Sequence, residues 1–517
     1  MQDTIQDLSQ ILVSVTSRHA HRTAIIFGSK TVTYAQLDAY CRRLACALSH
    51  LGVKELDKVA LWLPNCPEFV YTFFAALYIR AIAVPINTMF KQEEAKFILQ
   101  DSGARILICS IDKVHESESI LSRVDSLKHV ICLPAPKSNT NVLDFYDLIS
   151  RHEASICEPR IASDDIAEIV YTSGTTGKPK GACLTHKNIL SNIRDCGSII
   201  EVSHRDCFIC ILPLFHSFAS TVCMLLPLYN GARIVIMRSV RPFKRVVRAI
   251  FKHRVTAFMG VPSIFNILSE AHFPRWQLLL NWLINPIRLC ISGAAALPFE
   301  VWYKFEKKFK RPLLQGYGLT EASPVVSLNP LRGENKPYSV GRALPAVTAK
   351  IIDKDGKEVL PQEVGELLVK GDNVMQGYYR LPDETGKALR DGWLYTGDLA
   401  KIDKDGFIYI MGRLKEMINV RGLNVYPKEI EDVLYKYPKV KEAAVVGVLH
   451  RHRGEAPVAF IVKKEEVKEG EVIAFLRNNL ASYKIPLRVF FKESLPKNAT
   501  GKILKVELQK EVENIFT

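Results

Sequence analysis

Between Tyr171 and Gly181 the chain reads Tyr-Thr-Ser-Gly-Thr-Thr-Gly-Lys-Pro-Lys-Gly. Ser173, Thr175 and Thr176 offer hydroxyl donors, and Lys178 and Lys180 offer positive charge. Gly174, Gly177 and Gly181 permit tight turns and a close approach of backbone to a ligand. Donors, cations and pliant backbone in one short run are what holding a polyphosphate requires. The run is not the Gly-x-x-x-x-Gly-Lys-Ser/Thr loop, because Pro179 stands where the hydroxyl residue should follow Lys178. No Ser/His/Asp or Cys/His constellation stands out elsewhere. Of twelve cysteines, only Cys207 and Cys210 are spaced Cys-x-x-Cys, with neither a second pair nor a His cluster beside them, so neither a zinc site nor a disulfide framework is expected.

The elements that must hold such a loop are legible around it. Ile166–Val170, just before it, reads as a strand. From about residue 57 to 350, β-rich runs at 58–63, 82–86, 105–109, 233–237 and 288–292 alternate with amphipathic stretches such as 34–51. That alternation predicts an α/β fold with largely parallel sheets covered by helices. After about residue 345 short strands are punctuated by Asp353-Lys-Asp-Gly356, by Gly365 and by Asp403-Lys-Asp-Gly406. Near Gly412 this gives way to a mixed tail with strands at 443–448 and 458–462 and helices at 427–436 and 471–480. A chain of 517 residues exceeds what one core supports. The expected division is a large N-terminal domain of layered sheets and helices over 1–412, a hinge at 413–416 and a small mobile α+β domain over 417–517.

Charged residues make up 24% of the chain, and Lys plus Arg outnumber Asp plus Glu by 69 to 54, a formal +15. Such a surplus suits anionic partners or a solvated basic surface. No nucleic-acid motif accompanies it, so a nucleic-acid partner is not expected. Nothing in the sequence sets the oligomeric state. The acidic start and the small, apolar-flanked cysteines fit a reducing cytoplasm. Residues Cys207 to Tyr229 lack Asp, Glu, Lys and Arg, but Pro213, His216 and Pro227 interrupt them, so they read as a strand, a turn and a core helix rather than a membrane span.

The phosphate run, with six further motifs in register, resembles the acyl-adenylate-forming enzymes: acyl-CoA synthetases, adenylation domains of peptide synthetases and firefly luciferase. Those motifs are Pro213–Ala219, Ser292–Pro298, Gln315-Gly-Tyr-Gly-Leu-Thr-Glu321, Tyr395–Asp398, Gly412–Gly422 and Leu495–Leu504. The resemblance implies ATP, Mg²⁺ and coenzyme A as cofactors. It implies that Thr172, Ser173, Gly174, Thr175, Thr176, Gly177 and Lys180 hold phosphates, that Gly293, Ala294 and Ala295 line the purine with Tyr317 stacked on it, and that Gln315 and Gly316 belong to the same ATP/AMP-binding site. Thr320 would touch the α-phosphate, Glu321 and Thr172 the metal, and Asp398 and Arg413 the ribose. Lys502 would be the catalytic lysine, Lys415 the pivot, Arg421 and Gly422 the pantetheine contacts, and His216 and Phe218 part of the acyl pocket. Asn419 departs from those relatives that carry Lys at this place.

By the same resemblance a carboxylate attacks the α-phosphorus of ATP, and a thiol then displaces AMP. The acceptor is expected to be coenzyme A, with carrier-protein pantetheine as the alternative. The acid is expected to be a medium- to long-chain fatty acid, with aryl and short-chain acids as alternatives. In 241–254, Phe243, Val246, Val247, Ile250 and Phe251 fall on one helical face with basic residues around the rest. This is either a core-packed helix with a solvated basic face or a peripheral membrane contact at the entrance for a lipid acid. The apolar run Trp276–Ile284 leans toward the second reading.

Overall fold

The structure, a computed structural model, describes residues 5–136, 142–155, 159–172, 179–271, 286–421, 423–450, 454–498, 501–513 and 515. Ser173–Lys178, Trp276–Ile284 and Gly422 therefore lie outside the described residues.

Apolar four-residue runs such as Cys207–Cys210, Ala257–Gly260 and Leu289–Ser292 are buried at every position. Continuous burial of this kind belongs to parallel strands covered on both faces. Among the described residues these three and three further strands lie side by side and parallel in a nine-stranded sheet, in the order Leu313–Gly318, Leu289–Ser292, Ala257–Gly260, Cys207–Cys210, Arg233–Ile236 and Thr23–Phe27. A second sheet of eight strands contains Ile166–Thr172 between its parallel neighbour Ile82–Pro85 and its antiparallel neighbour Lys180–Thr185. Both predictions, parallel sheets and a strand leading into the phosphate run, hold.

The helix Pro67–Tyr78 is buried at all twelve positions, as a helix apolar on every side must be. The helix Tyr34–His50 instead buries one stripe that includes Leu37, Cys41, Leu44 and Leu48. Its start is fixed by a capping box in which Thr33 accepts from the Gln36 N–H and Gln36 accepts from the Thr33 N–H. One continuous apolar core joins these helices to both sheets.

Two turn expectations after residue 345 hold, and one does not. Gly356 and Gly406 close turns onto Asp353 and Asp403 with positive φ. Gly365 lies instead at the start of the strand Gly365–Gly371, where an added Cβ would sit 2.1 Å from the Ile352 carbonyl oxygen. Close strand approach, rather than a turn, demands glycine there.

Beyond residue 417 a separate five-stranded sheet, built around Val440–His450 and Gly454–Lys463, has one apolar cluster against each face. Its helices are Pro427–Lys436, Glu469–Arg477 and Lys505–Val512.

The run Cys207–Tyr229 folds as a strand and then helical turns over Ser217–Tyr229, and no helix among the described residues is long and apolar enough to cross a membrane. In the basic helix Phe243–His253 the buried seam is Val246, Ala249 and Ile250, while Phe251 is 40% exposed. Phe251 follows Ile250 by about 100° of helical rotation, which carries it off the seam. The predicted apolar face is thus narrower than the sequence implied.

Candidate active site

Ligands of open parallel sheets bind outside the carboxyl ends of the strands. Here Pro213–Ala219 follows Cys207–Cys210, Gly293 follows Leu289–Ser292, and Gln315–Gly318 ends Leu313–Gly318. Segments up to a hundred residues apart therefore meet at one rim of one sheet. Gln315 is buried there, and its carbonyl accepts from both the backbone N–H and the side-chain amide of Asn329.

A cavity opens at this rim. Its lining includes His216, Phe218, Gly293, Ala294, Gly316, Tyr317 and Thr320 together with the apolar residues Cys196, Ile200, Val222, Met259 and Leu328. The Phe218 ring packs on Gly293 so closely that an added Cβ would come within 2.8 Å of it. Ala294 holds φ +65°, a strained conformation for a residue with a side chain. Ala295 is adjacent in the chain but does not line the cavity. His216 Nδ1 accepts from the Phe218 N–H at 3.3 Å. Burial, helped by the nearby charge of Lys502, lowers the imidazole to about 4, so it stays neutral. Thr320 Oγ1 lies 3.2 Å from Ser217 Oγ.

On the far side of Tyr317 sits a charged cluster. The Tyr317 hydroxyl donates to Asp398, and Asp398 Oδ1 lies 2.7 Å from Arg413 Nε. Burial pushes the Asp398 carboxyl up, against the pull of Arg413 and the Tyr317 hydroxyl. Arg413 also donates to the Thr396 carbonyl at 3.3 Å. Lys502 comes to this cluster from the C-terminal sheet region. Its ammonium is lowered by the surrounding protein and by Arg413, with Glu416 and Asp398 opposing. An added Cβ on the preceding Gly501 would lie 3.1 Å from Ser263 Oγ, so this loop rests against the N-terminal part.

The feet of the phosphate run form a second cluster. Thr172 and Lys180 face each other across a hairpin, with Thr172 Oγ1 3.4 Å from the Lys180 carbonyl. The Lys180 ammonium lies 5.3 Å above the Tyr378 ring and pairs with Glu384. The Tyr378 hydroxyl donates to Glu321 Oε1 at 2.8 Å. One carboxylate and one hydroxyl fit a magnesium ion that takes the remainder of its shell from phosphates and water.

Tyr378 and Glu384 escaped the sequence reading. They lie about 200 residues beyond Lys180, and the visible signals were only a helix start at Pro382 and an acidic first turn. Lys415 is exposed in the turn Leu414–Glu416, and Arg421 is exposed beside the hairpin strand Ile418–Val420, both apart from the cavity.

The model of the AMP-binding enzyme family matches residues 13–379, and that of the AMP-binding enzyme C-terminal domain matches 429–502. The chain belongs to the AMP-binding enzyme family. It is 35% identical to a long-chain-fatty-acid–CoA ligase of Bacillus subtilis (strain 168), over 98% of this chain and 95% of that protein. It is 34% identical to 4-coumarate–CoA ligase 2 of Solanum tuberosum, over 94% and 90%. Its fold matches ATP-bound MatB from Rhodopseudomonas palustris with a TM-score of 0.91 at 30% identity, covering 99% of this chain and 100% of that one. A benzoate CoA ligase from Burkholderia xenovorans LB400 matches at 0.88 and 28%, covering 97% and 99%. This AMP-binding enzyme is an AMP-forming acyl-CoA synthetase, and it uses ATP, Mg²⁺ and coenzyme A.

Proposed function

We propose that the acid activated here is a medium- to long-chain fatty acid and that coenzyme A, rather than a carrier protein, accepts the acyl group. The observation behind this reading is the cavity wall. Cys196, Ile200, Val222, Met259, Ile291 and Leu328 are apolar, His216 is neutral, and no lining residue among those described is charged. An alkyl chain gains about 0.8 kcal/mol per methylene from such a wall, whereas a second carboxylate would lose its hydration without a counter-charge. The Bacillus subtilis relative supports the same substrate class. Phe218 together with the 4-coumarate relative supports a second reading, a planar aryl acid.

In this scheme a carboxylate oxygen attacks the α-phosphorus of ATP, the bond to the β-phosphate oxygen breaks, and acyl-AMP and pyrophosphate result. Lys502 offsets charge on the acid and the α-phosphate, Thr320 donates to phosphate, and Asp398 and Arg413 hold the ribose. Tyr317, Gly293, Ala294, Ala295, Gln315 and Gly316 receive adenine, while Thr172, the run 173–177 and Lys180 hold the phosphates. Glu321 and Thr172 would hold Mg²⁺, which when bound would supply neutralisation of charge on phosphate oxygens.

Thioester formation needs a different face. The segment 417–517 turns about the hinge 413–416 at Lys415, withdrawing Lys502 and bringing Asn419 to Tyr426, with Arg421 and Gly422, toward the pantetheine thiol. The thiol attacks the acyl carbon, its proton passes to solvent, and AMP leaves. Polar ties across this boundary include Lys464–Glu270 at 3.1 Å and Lys428 to the Ile410 carbonyl at 2.6 Å, contacts that a domain rotation can exchange for water.

We also propose that the enzyme works in the cytoplasm at an anionic membrane surface. No Asp or Glu occurs between Cys207 and Ser269. Arg238, Arg241, Lys244, Arg245, Arg248 and Lys252 are exposed beside the exposed Phe251. Vesicles with anionic lipid should bind the protein, less so in high salt and less so in an Arg245→Glu/Arg248→Glu variant. Indifference to lipid charge and salt overturns this part.

The deciding experiment is pyrophosphate release across a panel of alkyl, aryl and dicarboxylic acids, with and without coenzyme A. Preference for alkyl acids of eight or more carbons is expected (roughly the length at which methylene burial dominates). Preference for aryl acids would install the second reading.

A further inference from the structure

The pair Lys180–Glu384 joins the returning foot of the phosphate run to a helix about 200 residues away in the chain. Several further bonds converge on the same point. The Tyr379 N–H donates to the Gly181 carbonyl at 2.7 Å, and the Gln376 N–H donates to the Cys183 carbonyl at 3.0 Å. The short strand Gly377–Tyr378 is thereby laid along Lys180–Thr185. The Met375 N–H donates to the Glu321 carbonyl at 2.9 Å. One stretch, 375–384, thus touches the backbone of the phosphate hairpin, the backbone and carboxylate of Glu321, and the ammonium of Lys180. Thr385 anchors it locally, its hydroxyl accepting from the Tyr378 N–H and donating to the Leu381 carbonyl.

We infer that Glu384 is a positioning residue for nucleotide binding: through its ion pair it holds the Lys180 ammonium against the Tyr378 ring, beside Glu321, so that the cation is in place before polyphosphate arrives.

The inference rests on the reading of Lys180 as a phosphate-binding group. The physical case is one of pre-organisation. A lysine ammonium sits on a flexible four-carbon stem and loses rotamer entropy when it is fixed. A carboxylate that fixes it in advance moves that loss out of the binding step. Glu384 is suited to the task because its second oxygen is held by Lys387 at 2.7 Å. Lys180 and Lys387 lower its carboxyl to about 2, so it remains ionised throughout the working range. The Tyr378 ring beneath Lys180 adds a cation–π contact, and its hydroxyl ties the assembly to Glu321. The competing effect is that Glu384 draws positive charge away from phosphate. The Tyr378 face and the shared Lys387 weaken that opposition, so placement is expected to win.

The test is steady-state kinetics and direct ATP titration on the full-length enzyme, using whichever acid the wild type accepts best. Glu384→Gln should raise KM for ATP and the dissociation constant of ATP about five- to thirtyfold while kcat falls less than threefold and KM for acid and coenzyme A stays within twofold. Glu384→Asp should recover part of the loss. Lys180→Met/Glu384→Gln should be no worse than Lys180→Met alone, because the carboxylate acts through the lysine. An unchanged KM for ATP, an equal fall in every parameter, or additivity in the double variant overturns the inference. A wild type that releases no pyrophosphate with any acid would instead overturn the reading on which it rests.

Discussion

Arg413 Nε lies 2.7 Å from Asp398 Oδ1, and the other oxygen of the same carboxylate accepts a hydrogen bond from the Tyr317 hydroxyl. One carboxylate therefore orients both a cation and an aromatic ring that lines the cavity. Burial and the neighbouring carboxylate push the Tyr317 hydroxyl well above its ordinary value, which keeps it a donor. Asp398→Ala should raise KM for ATP by about tenfold or more, a loss near 1.4 kcal/mol, since Arg413 loses its ion-pair partner and Lys502 keeps only Glu416 as a nearby counter-charge. Tyr317→Phe keeps the ring and loses only the hydrogen bond, so its effect should be about two- to fivefold. Initial-rate kinetics with ATP as the varied substrate check the order, and equal effects would remove the carboxylate from the centre of this cluster.

Lys502→Ala should reduce acyl-adenylate formation by about a hundredfold or more while leaving thiolysis of supplied acyl-AMP within about threefold. In the proposed scheme the two half-reactions separate because the lysine serves only the adenylating arrangement of the domains. Equal loss in both would remove the assignment. The ammonium must be protonated to act, and its surroundings hold it below the ordinary lysine value. Adenylation should therefore decline with rising pH earlier than an unperturbed lysine would allow, and Lys502→Arg should abolish that alkaline decline.

The site's linear motifs were legible because each is a short run whose backbone must bend near a ligand. Gln315–Glu321 and Gly293–Ala295 carry their own signature, and the strand before Tyr171 announces itself by apolar continuity. What brings them together was not legible, since strand order is decided by packing between elements far apart in the chain. Cys196 and Ile200 illustrate the limit. On the helix His186–Ile199 and just past its end they look like ordinary core residues, and only the packing of the folded chain turns them into cavity wall. Tyr378 and Glu384 were missed for the same reason. Phe251 was misjudged because a pattern of i, i+3 and i+4 positions fixes a stripe but not its width.

Glu168 lies in the middle of the strand leading to Thr172, with 1% exposure and an Oε1 that has no hydrogen-bond partner. Burial alone pushes its carboxyl up to about 8. In the unfolded chain it titrates near its ordinary value of about 4.3, so between those two values the native state holds a proton that the unfolded state has released. Stability from this group is complete at low pH and falls as pH rises toward 8. Glu168→Gln should therefore stabilise the enzyme progressively with pH, on the order of a few kcal/mol by pH 8. Thermal denaturation of both proteins from pH 6 to pH 9 checks this. A constant difference in Tm across the range would contradict a buried neutral carboxyl.

Ile200 and Val222 line the cavity away from the charged cluster, and both are buried. If the alkyl chain lies along them, kcat/KM in the wild type should climb about three- to fourfold for each added methylene until the wall ends. Ile200→Trp inserts a ring into that path, so the climb should stop at a shorter acid while short acids keep most of their activity. Val222→Ala removes bulk and should move the optimum to longer acids, at a cost in stability of about 1–3 kcal/mol for the buried volume lost. Pyrophosphate release measured over a series of saturated acids reads both effects directly. Parallel loss for all lengths in both variants would mean that these residues support the fold of the rim without facing the acyl chain.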